Sequence, residues 1–342
     1  MLKGSNHSRR RIGNRWIALL GVIVLLSGGL LSGCGADEPE VYQIGIVSSS
    51  DDFLVMADGF KAGMAELGYV EGENVEYDLR QFNIDPAGEL AAAEEFVQEE
   101  VDLIYAFSTE SAEAAQIATQ GTDLPVVFAY AGIEGATLVK SVREPGGNIS
   151  GVRFPGPEQI SKRLEILLEI APDVERVWIG YDENYPNTAP ALEALRPLAA
   201  SLGVTLLEAP AATIPDLAAD LAARAASGDV GMDAIILMPD GFNHCPEGWE
   251  LISTFAAEHD VIIAGSFLYT VEQGAVFGNA NDLFEVGREA AAIADKTLRG
   301  TPIGTIPVVT PDQELWINYK VAQELGLTVP DGLLGMAAEI IR

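Results

Sequence analysis

Hydroxyl, carboxyl and aromatic side chains gather at the ends of short apolar runs, where loops can offer polar groups to a solute. Ser48-Ser49-Ser50-Asp51-Asp52-Phe53 is the first such place; its oxygens can cap a helix and can also reach a ligand. Ser108-Thr109-Glu110-Ser111 is the second, opening an alanine-rich stretch. A helix starting there would aim free N–H groups and the positive end of its dipole at a ligand carboxylate, or would simply be capped by those residues. Tyr130, Tyr181-Asp182, Asp240 and Ser266-Phe267 each follow another apolar run. A ring at Tyr130 could stack on a planar or apolar solute, and Asp182 or Asp240 could pair with an ammonium group in a desolvated cleft. Phe154, Asn243 and Asn281, from turn-rich connections, join them. The expected ligand-binding set is therefore Ser48, Ser49, Phe53, Ser108, Thr109, Glu110, Tyr130, Phe154, Asp182, Asp240, Asn243, Ser266 and Asn281.

Catalytic constellations are missing from the sequence. Of three histidines, His7 lies in the leader, and His244 beside Cys245 has no spaced second pair to make a metal site. The stretch Gly241 to Pro246 reads as a surface loop. There is no Gly-x-Ser-x-Gly, His-Glu-x-x-His, Cys-x-x-Cys or Lys-bearing phosphate loop. The expectation is a binding protein without catalytic residues, cofactor or metal.

The elements that must position these residues alternate strand with helix. Strands are expected at Tyr42–Val47, Val75–Arg80, Leu103–Phe107, Val126–Ala129, Ile149–Val152, Arg176–Tyr181, Thr205–Glu208, Ala234–Met238, Val261–Ala264 and Ala275–Phe277, apolar on both faces as buried parallel strands are. Helical periodicity separates them, as in Pro86–Glu100, Ser111–Thr119, Glu158–Ile170 and Leu283–Arg299. Such alternation predicts an α/β fold of doubly wound parallel sheets, whose ligands lie beyond the carboxyl ends of the strands. Pro145–Pro157, Gly278–Asp282 and Thr301–Pro311 break the pattern as crossovers, which divides the chain into two lobes joined by a three-segment hinge. The expected boundaries are 41–152 plus 279–304 for the N-terminal lobe and 153–278 plus 305–342 for the C-terminal lobe.

The chain's beginning fixes the expected compartment. Lys3, Arg9, Arg10, Arg11 and Arg15 precede an apolar stretch from Trp16 to Leu31, and Leu31-Ser32-Gly33-Cys34 follows. This reads as a lipoprotein signal peptide over 1–33, cut before Cys34, with 34–40 a lipidated linker. An uncleaved membrane anchor is the competing reading, though the apolar run falls short of the roughly 18 residues a spanning helix needs. With 20 basic against 51 acidic residues and a net charge of −31, the chain has no basic stripe for nucleic acid. A lipid on Cys34 would then hold it to the membrane. Cys245 is the only other cysteine, so no internal disulfide is expected once Cys34 is acylated.

From Tyr42 to Gly335 the chain resembles ABC-transporter substrate-binding proteins of the tryptophan/tyrosine-binding type, within the type I periplasmic-binding fold. The resemblance rests on Gly59-Phe60 through Glu66-Leu67-Gly68-Tyr69 to Asn74-Val75, on Val101-Asp102-Leu103-Ile104 and on Leu124-Pro125-Val126-Val127-Phe128. Leu138-Val139-Lys140-Ser141, Pro145-Gly146-Gly147-Asn148-Ile149-Ser150-Gly151-Val152, Gly287-Arg288 and the Gly300-Thr301-Pro302 to Pro307 crossover extend it. It implies a clamshell that closes on a small solute, with aromatic amino acids associated with members, and delivery to a membrane permease by an extracytoplasmic monomer. A ligand-sensing protein that signals to a membrane receptor is the alternative. Thr109-Glu110 stands where members often have Thr-Pro, Ala131-Gly132-Ile133 replaces an Asp-Pro pair, and Asp240–Glu247 looks longer than usual. A carboxylate at Glu110 leaves cationic, zwitterionic and neutral polar solutes open.

Overall fold

The structure, a computed structural model, describes residues 41–342 apart from 84, 135 and 136. The leader, the lipidation site at Cys34 and the linker lie outside the described residues. Tyr42–Arg342 forms one packed unit built on two sheets.

The first sheet holds β1 (Tyr42–Ser48), β2 (Val75–Gln81), β3 (Leu103–Phe107), β4 (Val126–Ala131) and β5 (Ile149–Arg153) in the order β2-β1-β3-β4-β5, all parallel. β3 and β4 are buried along their whole length, as their unbroken apolar runs require, and β5 is buried too although it carries Ser150 and Arg153. Helices α1 (Val55–Glu66), α2 (Pro86–Gln98) and α3 (Thr109–Ala118) connect the strands. The second sheet runs β12-β11-β10-β9-β8-β6-β7. Its parallel part is β6 (Arg176–Asp182), β7 (Thr205–Ala211), β8 (Ala234–Ile236), β9 (Ile262–Gly265) and β10 (Phe277–Ala280). Helices α4 (Gly156–Ile170), α5 (Thr188–Leu202), α6 (Ile214–Ala225), α7 (Gly241–His244), α8 (Pro246–His259) and α9 (Leu268–Glu272) belong with it. Each lobe buries apolar clusters against both faces of its sheet.

Two strands depart from the expected pattern. β11 (Glu314–Asn318) pairs antiparallel with β10, and the short β12 (Glu339–Ile341) runs parallel to β11. The second sheet is thus parallel only as far as β10. Helices α11 (Tyr319–Glu324) and α12 (Asp331–Met336) complete that edge.

Helix α10 (Leu283–Leu298) returns to the first lobe and packs on α1. The contact is backbone to backbone: a Cβ on Gly59 would lie 2.0 Å from the Phe284 carbonyl oxygen, and one on Gly287 would lie 2.2 Å from that of Met56. Glycine at both positions lets the helices close to a distance that no side chain would allow.

The three crossovers are tied to one another. Ser150 Oγ donates to the Ile306 carbonyl at 2.7 Å, and Val309 both donates to Gly151 and accepts from Arg153 at 2.9 Å. Asn281 Nδ2 donates to the carbonyls of Pro311 and Asp312 at 3.2 and 2.7 Å. The boundary expected at 279 falls inside β10, so Asn279 and Ala280 pair in the second sheet. Residues 306–309, expected with the second lobe, bond to the first.

Candidate functional site

In both sheets the strand order reverses once, between β1 and β3 in one and between β6 and β8 in the other. Connections leave a switch point toward opposite faces and open a crevice at the strands' carboxyl ends. At the first, Ser49 Oγ meets Ser108 Oγ at 2.6 Å. At the second, the Asp182 backbone N–H donates to Asp240 Oδ2 at 3.3 Å.

On the first-lobe wall, α3 begins at Thr109, two residues before the expected start, so Thr109 and Glu110 form its first turn. Ser108 does not cap the helix with its side chain; its Oγ donates to Glu110 Oε2 at 2.7 Å. Its backbone, at φ 73° and ψ 170°, lies in a region used almost only by glycine. Thr109 Oγ1 accepts from the Gly132 N–H at 3.0 Å and from Asn187 Nδ2 of the second lobe at 3.4 Å. One strand over, Tyr130 has φ 54°, where the β4–β5 register shifts. Its ring centroid stands 4.8 Å from Phe154, 6.2 Å from Phe53 and 6.5 Å from Phe267 of the second lobe. Its hydroxyl is buried with no hydrogen-bond partner.

The second-lobe wall is built around Asp240, 2% exposed. It caps α7 by accepting from the Asn243 N–H at 3.1 Å, and it also accepts from Asn243 Nδ2 at 2.8 Å. Burial pushes its carboxyl up to about 7 against the lowering effect of those bonds, and Asp182 raises it further. Asn243 Nδ2 also donates to the Gly180 carbonyl, whereas its Oδ1 is buried and unpaired. Asp182 Oδ1 accepts from the Asn184 N–H in a local turn.

Two candidates do not face the crevice as free groups. Ser48 Oγ donates to the Ser50 carbonyl, and Asn281 spends its amide on Gln159 and the hinge carbonyls. Gly241–His244 is a short helix rather than a surface loop. His244 Nδ1 lies 3.1 Å from Tyr269 Oη and 3.4 Å from Ser266 Oγ, and its ring meets Phe267 edge-on at 5.3 Å. Burial, with Arg163 nearby, lowers its pKa to about 3, so the ring is neutral. Among the described residues no group of three or more His, Cys, Asp or Glu side chains is placed to hold a metal ion.

A family model for ABC transporter substrate binding proteins matches residues 41–341. The chain belongs to this family. A curated relative of this substrate-binding protein, the tyrosine-binding protein of Clostridioides difficile (strain R20291), is 29% identical over 271 residues, covering 79% of this chain and 76% of the relative. A conserved domain protein from Vibrio cholerae is similar in structure, with 26% identity, a TM-score of 0.77 and coverage of 88% of this chain and 100% of that one. An ABC domain from Streptococcus pneumoniae in complex with L-Trp has 24% identity, a TM-score of 0.76 and the same coverage, and shows the shared fold. The architecture is that of type I periplasmic-binding-like solute-binding proteins.

Three residues of this substrate-binding protein's crevice lie outside the set expected from sequence. Tyr185, beyond β6, is pushed well above the usual phenol range by burial and then by the charges of Glu110 and Asp240, one carboxylate from each lobe. Gln159 and Arg163, on α4, sit beside the Tyr130 hydroxyl. Arg163 is 2% exposed, and it occupies the buried face of α4 with Ile160, Leu164 and Leu167. That placement on an apolar stripe is a signal the sequence did carry.

Proposed function

We propose that this protein captures an amino acid with an aromatic side chain in the crevice between its lobes and delivers it to a membrane permease. Lipidation at Cys34 would tether it outside the cytoplasm as a monomer. Among the described residues no helix is long and apolar enough to cross a membrane.

The observation that carries this reading is the pair of buried polar atoms left unpaired on facing walls, Tyr130 Oη and Asn243 Oδ1. A buried polar group without a partner costs about 1–3 kcal/mol, and a solute that supplies one recovers it. Phe53, Phe154, Phe267 and the Tyr130 ring offer aromatic surface beside these atoms. The names of the two relatives, tyrosine-binding and L-Trp-bound, agree with a planar side chain. Closure follows because a solute touching both walls favours the closed state by its differential affinity.

The test is a thermal-shift screen of the chain from Gly35 onward against the amino acids, nucleosides, sugars and small peptides. At a hundredfold excess over Kd a solute stabilises the folded state by about 2.7 kcal/mol. A shift with tryptophan, tyrosine or phenylalanine supports the reading; a shift confined to sugars or nucleosides overturns it.

A further inference from the structure

Arg163 carries a buried positive charge without a carboxylate partner among the described residues. Its Nε donates to Asn279 Oδ1 at 2.9 Å, Nη1 to the Leu237 carbonyl at 2.5 Å and Nη2 to the Asn279 carbonyl at 2.9 Å. All three acceptors are neutral, and a guanidinium has five N–H donors. A buried cation with no counter-charge is costly, so an anion that enters its field gains more than it would in water.

The Tyr130 hydroxyl, from the opposite lobe, is buried beside this cation and the Gln159 amide, and makes no hydrogen bond of good geometry. It is held there by a left-handed backbone conformation at φ 54°, which a tyrosine adopts only when its surroundings impose it. The α3 N-terminus, the other natural seat for an anion, is already served from within. Glu110 stands in its first turn and accepts from Ser108 Oγ. An incoming carboxylate would meet that negative charge, whereas an ammonium group would be attracted to it.

We infer that the solute lies with its carboxylate at Tyr130 Oη in the field of Arg163 and with its cationic group toward Glu110. Tyr130 and Arg163 are then specificity determinants that select for an acid over the corresponding amide. This rests on the amino-acid reading given above.

The experiment is calorimetric titration of the full-length protein in detergent with L-tryptophan, L-tyrosine and their carboxamides, repeated on Tyr130→Phe. In the parent protein the acids should bind at least tenfold more tightly than the amides. Tyr130→Phe should weaken acid binding 10- to 100-fold, the range expected of a hydrogen bond to a charged group, and leave the amides nearly unchanged. The same variant should melt at a higher temperature when free, because it deletes an unpaired buried hydroxyl. A residue that only supported the fold would not give stability and affinity changes of opposite benefit. Equal affinity for acid and amide in the parent, or equal weakening of both in Tyr130→Phe, overturns the inference while leaving the amino-acid reading intact. If neither acid binds, the amino-acid reading fails and this inference with it.

Discussion

Ser108, just past the end of β3, and Tyr130, on the adjacent β4, hold backbone conformations that their side chains disfavour. Such strain costs on the order of 1–3 kcal/mol per residue and persists only where the surroundings over-determine it. At Ser108 the usual ranking of small residues should therefore invert: Ser108→Gly and Ser108→Ala both lose the bonds to Ser49 and Glu110, but only glycine relaxes the backbone. We expect the glycine variant to be about 1–2 kcal/mol the more stable of the two by urea denaturation, and the reverse order would show that φ 73° is not a strained conformation here. Asp240 gives a pH-dependent counterpart. Folded, burial holds its carboxyl near 7; unfolded, it titrates near 3.9. Between those values the folded state binds more protons than the unfolded chain, so its contribution to stability declines as pH rises from about 4 to about 7 and then levels off. His244 slopes the other way below about 6.5, since the unfolded chain takes up a proton that the folded ring refuses. The difference in urea midpoint between the parent and Asp240→Asn isolates the carboxyl: it should move in favour of the variant from pH 5 to pH 8. These shifts could not be read from the sequence. Asp240 follows a strand, as a cap or a ligand would, and only the closed second-lobe wall makes it both buried and acid-weak.

At the scale of elements, β3 and β4 were legible because parallel strands buried on both faces leave unbroken apolar runs, whereas β2 is largely exposed and polar and β10 begins at Phe277, where the expected strand ends. β11 and β12 were not legible: one follows a proline-rich crossover and the other is three residues long, so neither has flanks that set it apart. The helix starts at α3 and α4 lie two residues earlier than periodicity suggested, because Thr109, Glu110 and Gly156 carry no apolar signal. The α1–α10 contact makes the most direct prediction here. Gly59→Ala and Gly287→Ala each place a methyl group against backbone that cannot swing aside, which forces the helices apart and uncovers the first-lobe core. We expect each to lose about 1–3 kcal/mol or more, read as a lower melting temperature. Alanine at Gly68, where nothing lies within 4 Å but φ is 97°, should cost strain alone.

At the scale of the whole molecule, Arg153 sits where the lobes join. At the end of β5 it pairs with Glu134 in the first lobe and Glu158 in the first turn of α4, and its Nε donates to Thr310 of the third crossover at 2.9 Å. Its side chain is 9% exposed while its partners Glu134 and Glu158 are 33% and 51% exposed, so removing it leaves two half-solvated carboxylates without their shared cation. Arg153→Met should destabilise by about 1–3 kcal/mol, and restoring balance with Glu134→Gln in the same chain should recover part of the loss; additive losses would show that the two do not act together. Two lobes and three crossings followed from Gly- and Pro-rich breaks in the pattern, because a chain that changes sheets needs turns. Which residues the crossings bond was beyond the sequence, since Ser150, Asn281 and Val309 meet only once both lobes are formed.

The return of α10 to α1 also orders events in time. The first lobe begins at Tyr42 but lacks its covering helix until residues 283–298 are available, and β5 has no partner in the third crossover before Val309. The second sheet likewise waits for β11 to cover the edge of β10. Contacts this distant along the chain are slow to form. A chain emerging end-first, from a ribosome or through a translocation pore, therefore reaches neither finished lobe until most of its length is free. Late completion of this kind keeps a polypeptide threadable, as an exported protein must be, and assigns to the residues from Leu283 onward the role of locking a shape that its opening residues only begin.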